Sequence, residues 1–159
     1  MEFALIVTPF LGMLFAIIQV ALVFWSQQAL ETAVAEASRQ LYIGAFQGST
    51  AGQNSSTQRA NFKEAVCQSI PALFDCRALV NVDVRVLPSF TAPPPGAPVT
   101  NGNYDPSDYR YEQPARNDIV LVRASMEYPT YVRILNPSTG LKSGNTLIMA
   151  TAAFRAEPF

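Results

Sequence analysis

From Phe3 to Trp25 the chain carries no charged side chain, and its apolar run is broken only by Thr8, Pro9, Gly12 and Gln19. Coiled as a helix, this stretch rises about 35 Å at about 1.5 Å per residue, more than the roughly 30 Å of a bilayer's hydrocarbon core. Insertion energies summed over its Leu, Ile, Val and Phe residues come to roughly −4 to −8 kcal/mol, an upper bound because the scale applies at mid-membrane. Gln19 and Pro9 reduce that margin without reversing it. A cleaved secretory signal is the competing reading, and it needs a basic start, an apolar stretch of about 7 to 15 residues and a small-residue cleavage site. Here no Lys or Arg precedes the run, the run is longer, and it ends in Phe24-Trp25-Ser26-Gln27. The segment therefore reads as a single membrane-spanning anchor.

Beyond the anchor the chain is long enough for one small module. The 159 residues carry a net charge of −1 and only 14% charged side chains, which leaves no basic surface for nucleic acid and no polybasic patch for lipid headgroups. Histidine is absent, which removes the commonest general base, the Ser-His-Asp and Cys-His arrangements and the commonest metal ligand. No glycine-rich nucleotide motif occurs. Enzymatic activity is not expected, no cofactor is implied, and no residue takes a catalytic or metal-binding role. The oxygen-rich stretch from Asn103 to Asp108 lacks the spacing of a calcium loop, and its Asp-Pro and Ser-Asp steps read as turns.

The two cysteines, Cys67 and Cys76, stand too far apart for a redox Cys-x-x-Cys and are too few for zinc without histidine. A disulfide between them is expected, with two buried free thiols as the alternative. Closing that loop would restrict the unfolded chain by about 2.7 kcal/mol. It would also place the C-terminal module outside the cytoplasm, an orientation that the sparse juxtamembrane charges do not decide.

Past Trp25 the helical pattern continues, because Leu30, Val34, Ala37 and Leu41 recur at spacings of three and four while Glu31, Glu36, Arg39 and Gln40 take other faces. The periodicity predicts one helix to about Phe46, with its end in the glycine- and hydroxyl-rich stretch from Gly44 to Asn54, so that residues 1–46 form a transmembrane and stalk helix and residues 47–159 an extracytoplasmic domain. Gly12 and Ala16, and then Ala29, Ala33 and Ala37, repeat every four residues, a spacing that lets another helix or the chain's own domain approach closely. Alanine's helix propensity explains part of this stripe. A second helix is predicted over Thr57 to Gln68, capped by Ser55, Ser56 or Thr57 and stopped by Pro71. Alternation over Leu79 to Leu87 predicts a strand with Val80, Val82, Val84 and Val86 on one face and Asn81, Asp83 and Arg85 on the other. Two more strands are expected over Asp118 to Tyr128 and Asn145 to Phe154, separated by turn residues from Asn136 to Gly140. The fold class is α+β: a long N-terminal helix followed by a small antiparallel sheet with a short helix.

Residues 88–117 hold seven prolines and the tyrosines Tyr104, Tyr109 and Tyr111. They read as a long, extended loop, a form that is often functional. The three tyrosines are candidates for stacking on a partner, with packing against their own sheet as the alternative.

At the other end of the chain, Glu2 places a carboxylate beside an apolar helix, where it must be paired, neutralised or interfacial. Pro9 removes one helical hydrogen bond near Leu5. The opening from Met1 to Leu11 resembles that of TadE-like pseudopilins of the bacterial tight-adherence (Tad) pilus system. Phe62-Lys63-Glu64-Ala65-Val66-Cys67, Phe74-Asp75-Cys76, the alternating Val82 to Val86 and the ending from Ala152 to Phe159 are also similar to that family. The resemblance implies a minor pilin-like subunit that acts in pilus assembly, initiation or tip formation by helix packing through Glu2, Pro9 and the small-residue stripe. It implies other pilin or pseudopilin subunits as partners in a hetero-oligomer, processing by a prepilin peptidase, and a single-pass location in the bacterial inner membrane. The family's basic leader and cleavage-site glycine do not precede Glu2, so the chain reads as a mature or trimmed form. A permanently anchored assembly scaffold and a pilus-tip adhesin using the 88–117 loop are the alternatives.

Overall fold

The computed structural model describes residues 2–70, 74–131 and 141–158. Helix α1 spans Glu2–Tyr42 and runs through Pro9 without interruption. It ends one turn before the position expected from the periodicity, because Gly44 takes a left-handed conformation at φ 76° that only glycine adopts cheaply, and a short helix α2, Ala45–Ser49, restarts beyond it. Helix α3 covers Ser55–Gln68, and its cap is Asn54, whose side chain accepts the Thr57 N–H at 3.0 Å, in place of the three hydroxyl residues after it. Pro71 lies outside the described residues.

The strand expected from Leu79 begins two residues later. Asp75 accepts the Ala78 N–H at 3.1 Å and starts a single helical turn, α4, over Cys76–Leu79, so strand β1 occupies Asn81–Leu87. Two short strands come next, β2 at Val99–Thr100 and β3 at Asn103–Tyr104, and then two long ones, β4 at Ile119–Tyr128 and β5 at Thr146–Arg155. The long strands pair antiparallel along their whole length, and β4 also pairs antiparallel with β1, giving the order β1-β4-β5. The turn expected from Asn136 to Gly140 lies outside the described residues.

One face of this sheet meets α1 and α3. Val82, Val84, Val120, Val122, Met126, Ile148 and Ala150 pack with Leu30, Ala33, Val34, Ala37 and Leu41 from α1 and with Phe62 and Val66 from α3. Phe46, Phe62 and Tyr111 close one end of the core, with ring centroids 5.6 to 6.3 Å apart. Helix α1 runs in the same direction as β5: the Gln27 side-chain amide donates to the Met149 carbonyl at 3.0 Å near the start of the strand, and the Glu157 N–H donates to the Tyr42 carbonyl at 2.9 Å beyond its end.

The opposite face is covered as well, and here the 88–117 segment departs from a plain extended loop. It carries the β2–β3 hairpin, turned by Asn101 and Gly102 at φ 53° and 78°. Asn-Gly is the pair best able to adopt two successive left-handed residues. The segment then lies along the outer edge of β1, where the Val84 N–H donates to the Arg110 carbonyl at 2.9 Å and the Glu112 N–H to the Val84 carbonyl at 2.8 Å. This strap buries Asp83, Arg85, Arg123 and Ser125.

Candidate functional site

Helix α1 divides into two halves of different character. From Phe3 to Trp25 most apolar side chains face outward: Phe3 is 80% exposed, Ile6 69%, Phe10 62% and Met13 68%. Beyond that point Ser26, Leu30, Ala33, Val34, Ala37, Ser38 and Leu41 are buried against the sheet at three- and four-residue spacing. The small-residue stripe therefore serves two surfaces. Ala33 and Ala37 are buried within the chain and Ala29 is half-buried, whereas Gly12 is exposed and Ala16 half-buried on the free-standing half. A side chain added at Gly12 would meet nothing within 4 Å. Glu2 and Pro9 belong to the same free half, and the side chain of Glu2 lies outside the described residues.

About two turns before the boundary between the two halves, Gln19 Oε1 accepts the Tyr131 backbone N–H at 3.0 Å. Beside this contact, Gly12, Phe15, Ile18, Gln19 and Leu22 on the helix and Tyr128 and Tyr131 on the sheet domain line an apolar groove of about 360 Å³.

The candidate tyrosines of the 88–117 segment point inward. Tyr104 donates to the Ser125 carbonyl at 3.0 Å and accepts from the Asn81 amide at 3.0 Å. Tyr109 lies 2.8 Å from the Ser125 hydroxyl and under the Arg123 guanidinium, 5.2 Å from its ring centroid, and Tyr111 sits in the aromatic core. Burial raises all three phenols above their ordinary range. Their rings are thus occupied by the chain itself, because the strap needs apolar and hydrogen-bonding anchors to lie flat on a charged sheet face.

That charged face is the feature least apparent from pattern alone. Arg85 Nε donates to Asp83 at 3.0 Å, and the Arg110 backbone N–H reaches the other Asp83 oxygen at 2.9 Å. Arg123 Nη1 donates to the Pro95 and Gly96 carbonyls at 2.9 and 2.8 Å. Arg85 Nη2 donates to Asp108 at 2.7 Å, and this hydrogen bond holds the Asp108 carboxyl below its usual range. Burial lowers the affinity of Arg85 for its proton, but the hydrogen bonds to Asp108 and Asp83 outweigh it and raise its pKa. Within this cluster the charges of Asp83, Arg85, Arg123 and Asp108 are matched to one another.

Cys67 and Cys76 form a disulfide that joins the end of α3 to the start of α4. An ion pair between Arg77 and Glu64 spans the same two helices, but both partners are exposed, and such pairs contribute little.

A long apolar helix, bare in its first half and covered by a small antiparallel sheet in its second, defines an α+β protein in which, among the described residues, one helix is long and apolar enough to cross a membrane. Residues 1–39 match the family model described as TadE-like protein, which points to a pilin-like protein associated with the Tad pilus. The matched span coincides with α1, so of the stretches that carry the resemblance only the opening lies within it. No curated protein and no solved structure matches the chain.

Proposed function

We propose that the chain is a minor pilin-like subunit of a Tad or type IV-like pilus, acting in assembly, initiation or tip formation through packing of its N-terminal helix. The observation that carries this reading is the coincidence of the TadE-like match with a helix whose first half presents a mostly apolar, uncharged surface from Phe3 to Trp25. In a membrane those side chains rest in lipid. Removed from it, they must be covered by similar helices, since exposing them to water is strongly unfavourable. Residues 1–46 then form anchor and stalk, and residues 47–159 an extracytoplasmic domain, an orientation supported by the disulfide. The partners are other pilin or pseudopilin subunits in the inner membrane, with a prepilin peptidase for processing. Glu2, at the start of α1, pairs with a positive charge on a neighbour as subunits are laid side by side.

Cross-linking from residues 2–25 in cells tests the reading: cross-links to other pilin helices support it, and recovery of the chain only uncross-linked in inner-membrane fractions favours a permanent scaffold. Glu2→Ala is expected to abolish piliation while leaving membrane insertion intact. Normal piliation in that variant removes the charge-pairing role.

A further inference from the structure

The stretch of α1 between Glu2, the acid that bounds the apolar run, and Gln19, which the sheet domain contacts, is shorter than the hydrocarbon core of a bilayer. Residues 2–18 rise about 26 Å at about 1.5 Å per residue, against roughly 30 Å of hydrocarbon, and any tilt shortens that reach. Hydrocarbon must therefore extend to about Leu22, one turn beyond the hydrogen bond between Gln19 and Tyr131. No charge opposes that depth, because none occurs between Glu2 and Glu31. At this level the sheet domain is already present. Tyr128 and Tyr131 line the same apolar groove as Phe15 and Leu22, and Tyr131 is 83% exposed. Trp25, 56% exposed, stands about one turn further up the helix.

Tyrosine and tryptophan gather at the membrane surface because their rings sit among the upper acyl carbons while their polar ends stay wet. The segment from Tyr128 to Tyr131 also contains no charged residue. Gln19, the one amide in the apolar run, meets a backbone N–H of this same segment, which lessens the cost of placing both at the edge of hydrocarbon. We infer that the Tyr128–Tyr131 end of the sheet domain is a second membrane contact, seated in the boundary between headgroups and acyl chains. The inference rests on the reading of α1 as a membrane anchor. The bilayer then holds the domain as well as its helix, and the groove beside Gly12 is filled by acyl chains.

Single-tryptophan variants of the full chain test this in vesicles of phosphatidylcholine and phosphatidylglycerol whose acyl chains are brominated near the headgroup. In a Trp25→Phe background, Phe10→Trp reports on the anchor and Tyr131→Trp on the proposed contact. Phe90→Trp reports on the far end of the sheet, beyond the pairing of Leu87 with Ile119. All four replaced side chains, Trp25 included, are exposed, so the fold tolerates the changes. The expected result is a loss of emission at Tyr131→Trp, larger with bromines near the headgroup than near the acyl terminus, and no loss at Phe90→Trp. If Tyr131→Trp behaves like Phe90→Trp while Phe10→Trp is quenched, the second contact is overturned and the anchor stands. If Phe10→Trp is also unquenched, both fall together.

Discussion

Asp83 and Arg123 stand directly opposite each other on β1 and β4, and Arg123 Nη2 donates to Asp83 Oδ2 at 2.6 Å with both side chains almost fully buried. Because the same guanidinium holds the Pro95 and Gly96 carbonyls, this pair fastens the strap to the sheet. Removing the acid alone leaves Arg123 and Arg85 buried without their shared counter-charge. Asp83→Ala is accordingly expected to destabilise the domain by about 3–5 kcal/mol. Replacing both opposed residues, in Asp83→Val with Arg123→Leu, should recover part of that loss. Denaturant unfolding of the detergent-solubilised chain measures both, and equal stability of single and double variants would contradict the pairing.

The strap's outer fastening is sensitive to acid. Asp108 has its folded pKa depressed by the hydrogen bond from Arg85. Its stabilising contribution is fully present above the unfolded value near 4 and is lost as pH falls through the lower folded value. The stability of Asp108→Asn should therefore depend less steeply on pH over that acidic interval than that of the parent chain, as thermal unfolding at a series of pH values would reveal.

Two glycine or alanine positions separate internal from external packing. At Ala33, fully buried between α1 and the sheet, substitution by Leu should cost about 1–3 kcal/mol through overpacking. At Gly12, where an added side chain meets nothing, Gly12→Leu should not lower the melting temperature of the single chain and should reduce piliation. A fall in melting temperature at Gly12→Leu, or none at Ala33→Leu, would reverse this assignment of the two surfaces.

Ser38 places a buried hydroxyl against the core, and among the described residues its oxygen finds no hydrogen-bond partner. Ser38→Ala removes that polar atom and improves helix propensity, so a gain of roughly 0.5–1 kcal/mol is expected. Calorimetry would register it as a higher melting temperature.

Loss of the disulfide should act mainly through the unfolded chain. Cys67→Ala with Cys76→Ala is expected to cost about 2–3 kcal/mol, and reduction of the parent chain by dithiothreitol should match it. Wild-type stability in the double variant would mean that α3 and α4 hold together without the bond.

The elements with a regular period were legible from residue order alone. Apolar runs announced α1 and the three long strands, because helix and strand periods depend only on local spacing. The small deviations were local too: Gly44 opens the glycine-rich stretch in which the helix is expected to stop, and Asp75 carries a start signal that the surrounding periodicity concealed. Residue order did not disclose the path of the strap. Asp83, Arg85 and Arg123 alternate with valines and so look like a solvent-facing row, but a distant proline-rich segment closes over them. The Asn101-Gly102 turn was the one signal within that segment that could have revealed its hairpin. Tyr104 and Tyr109 were legible as important, but whether they turn inward depends on Ser125 and Arg123, which lie on another strand. The contact between Gln19 and Tyr131 spans most of the chain, and no local pattern encodes it.

The parallel run of α1 and β5, clasped by Gln27 at one end and Glu157 at the other, has a mechanical consequence. A pull along the helix axis loads the domain in shear, so that the whole helix–sheet contact must give way together and cannot peel open one row at a time. A domain built this way resists being torn from its own stem under tension.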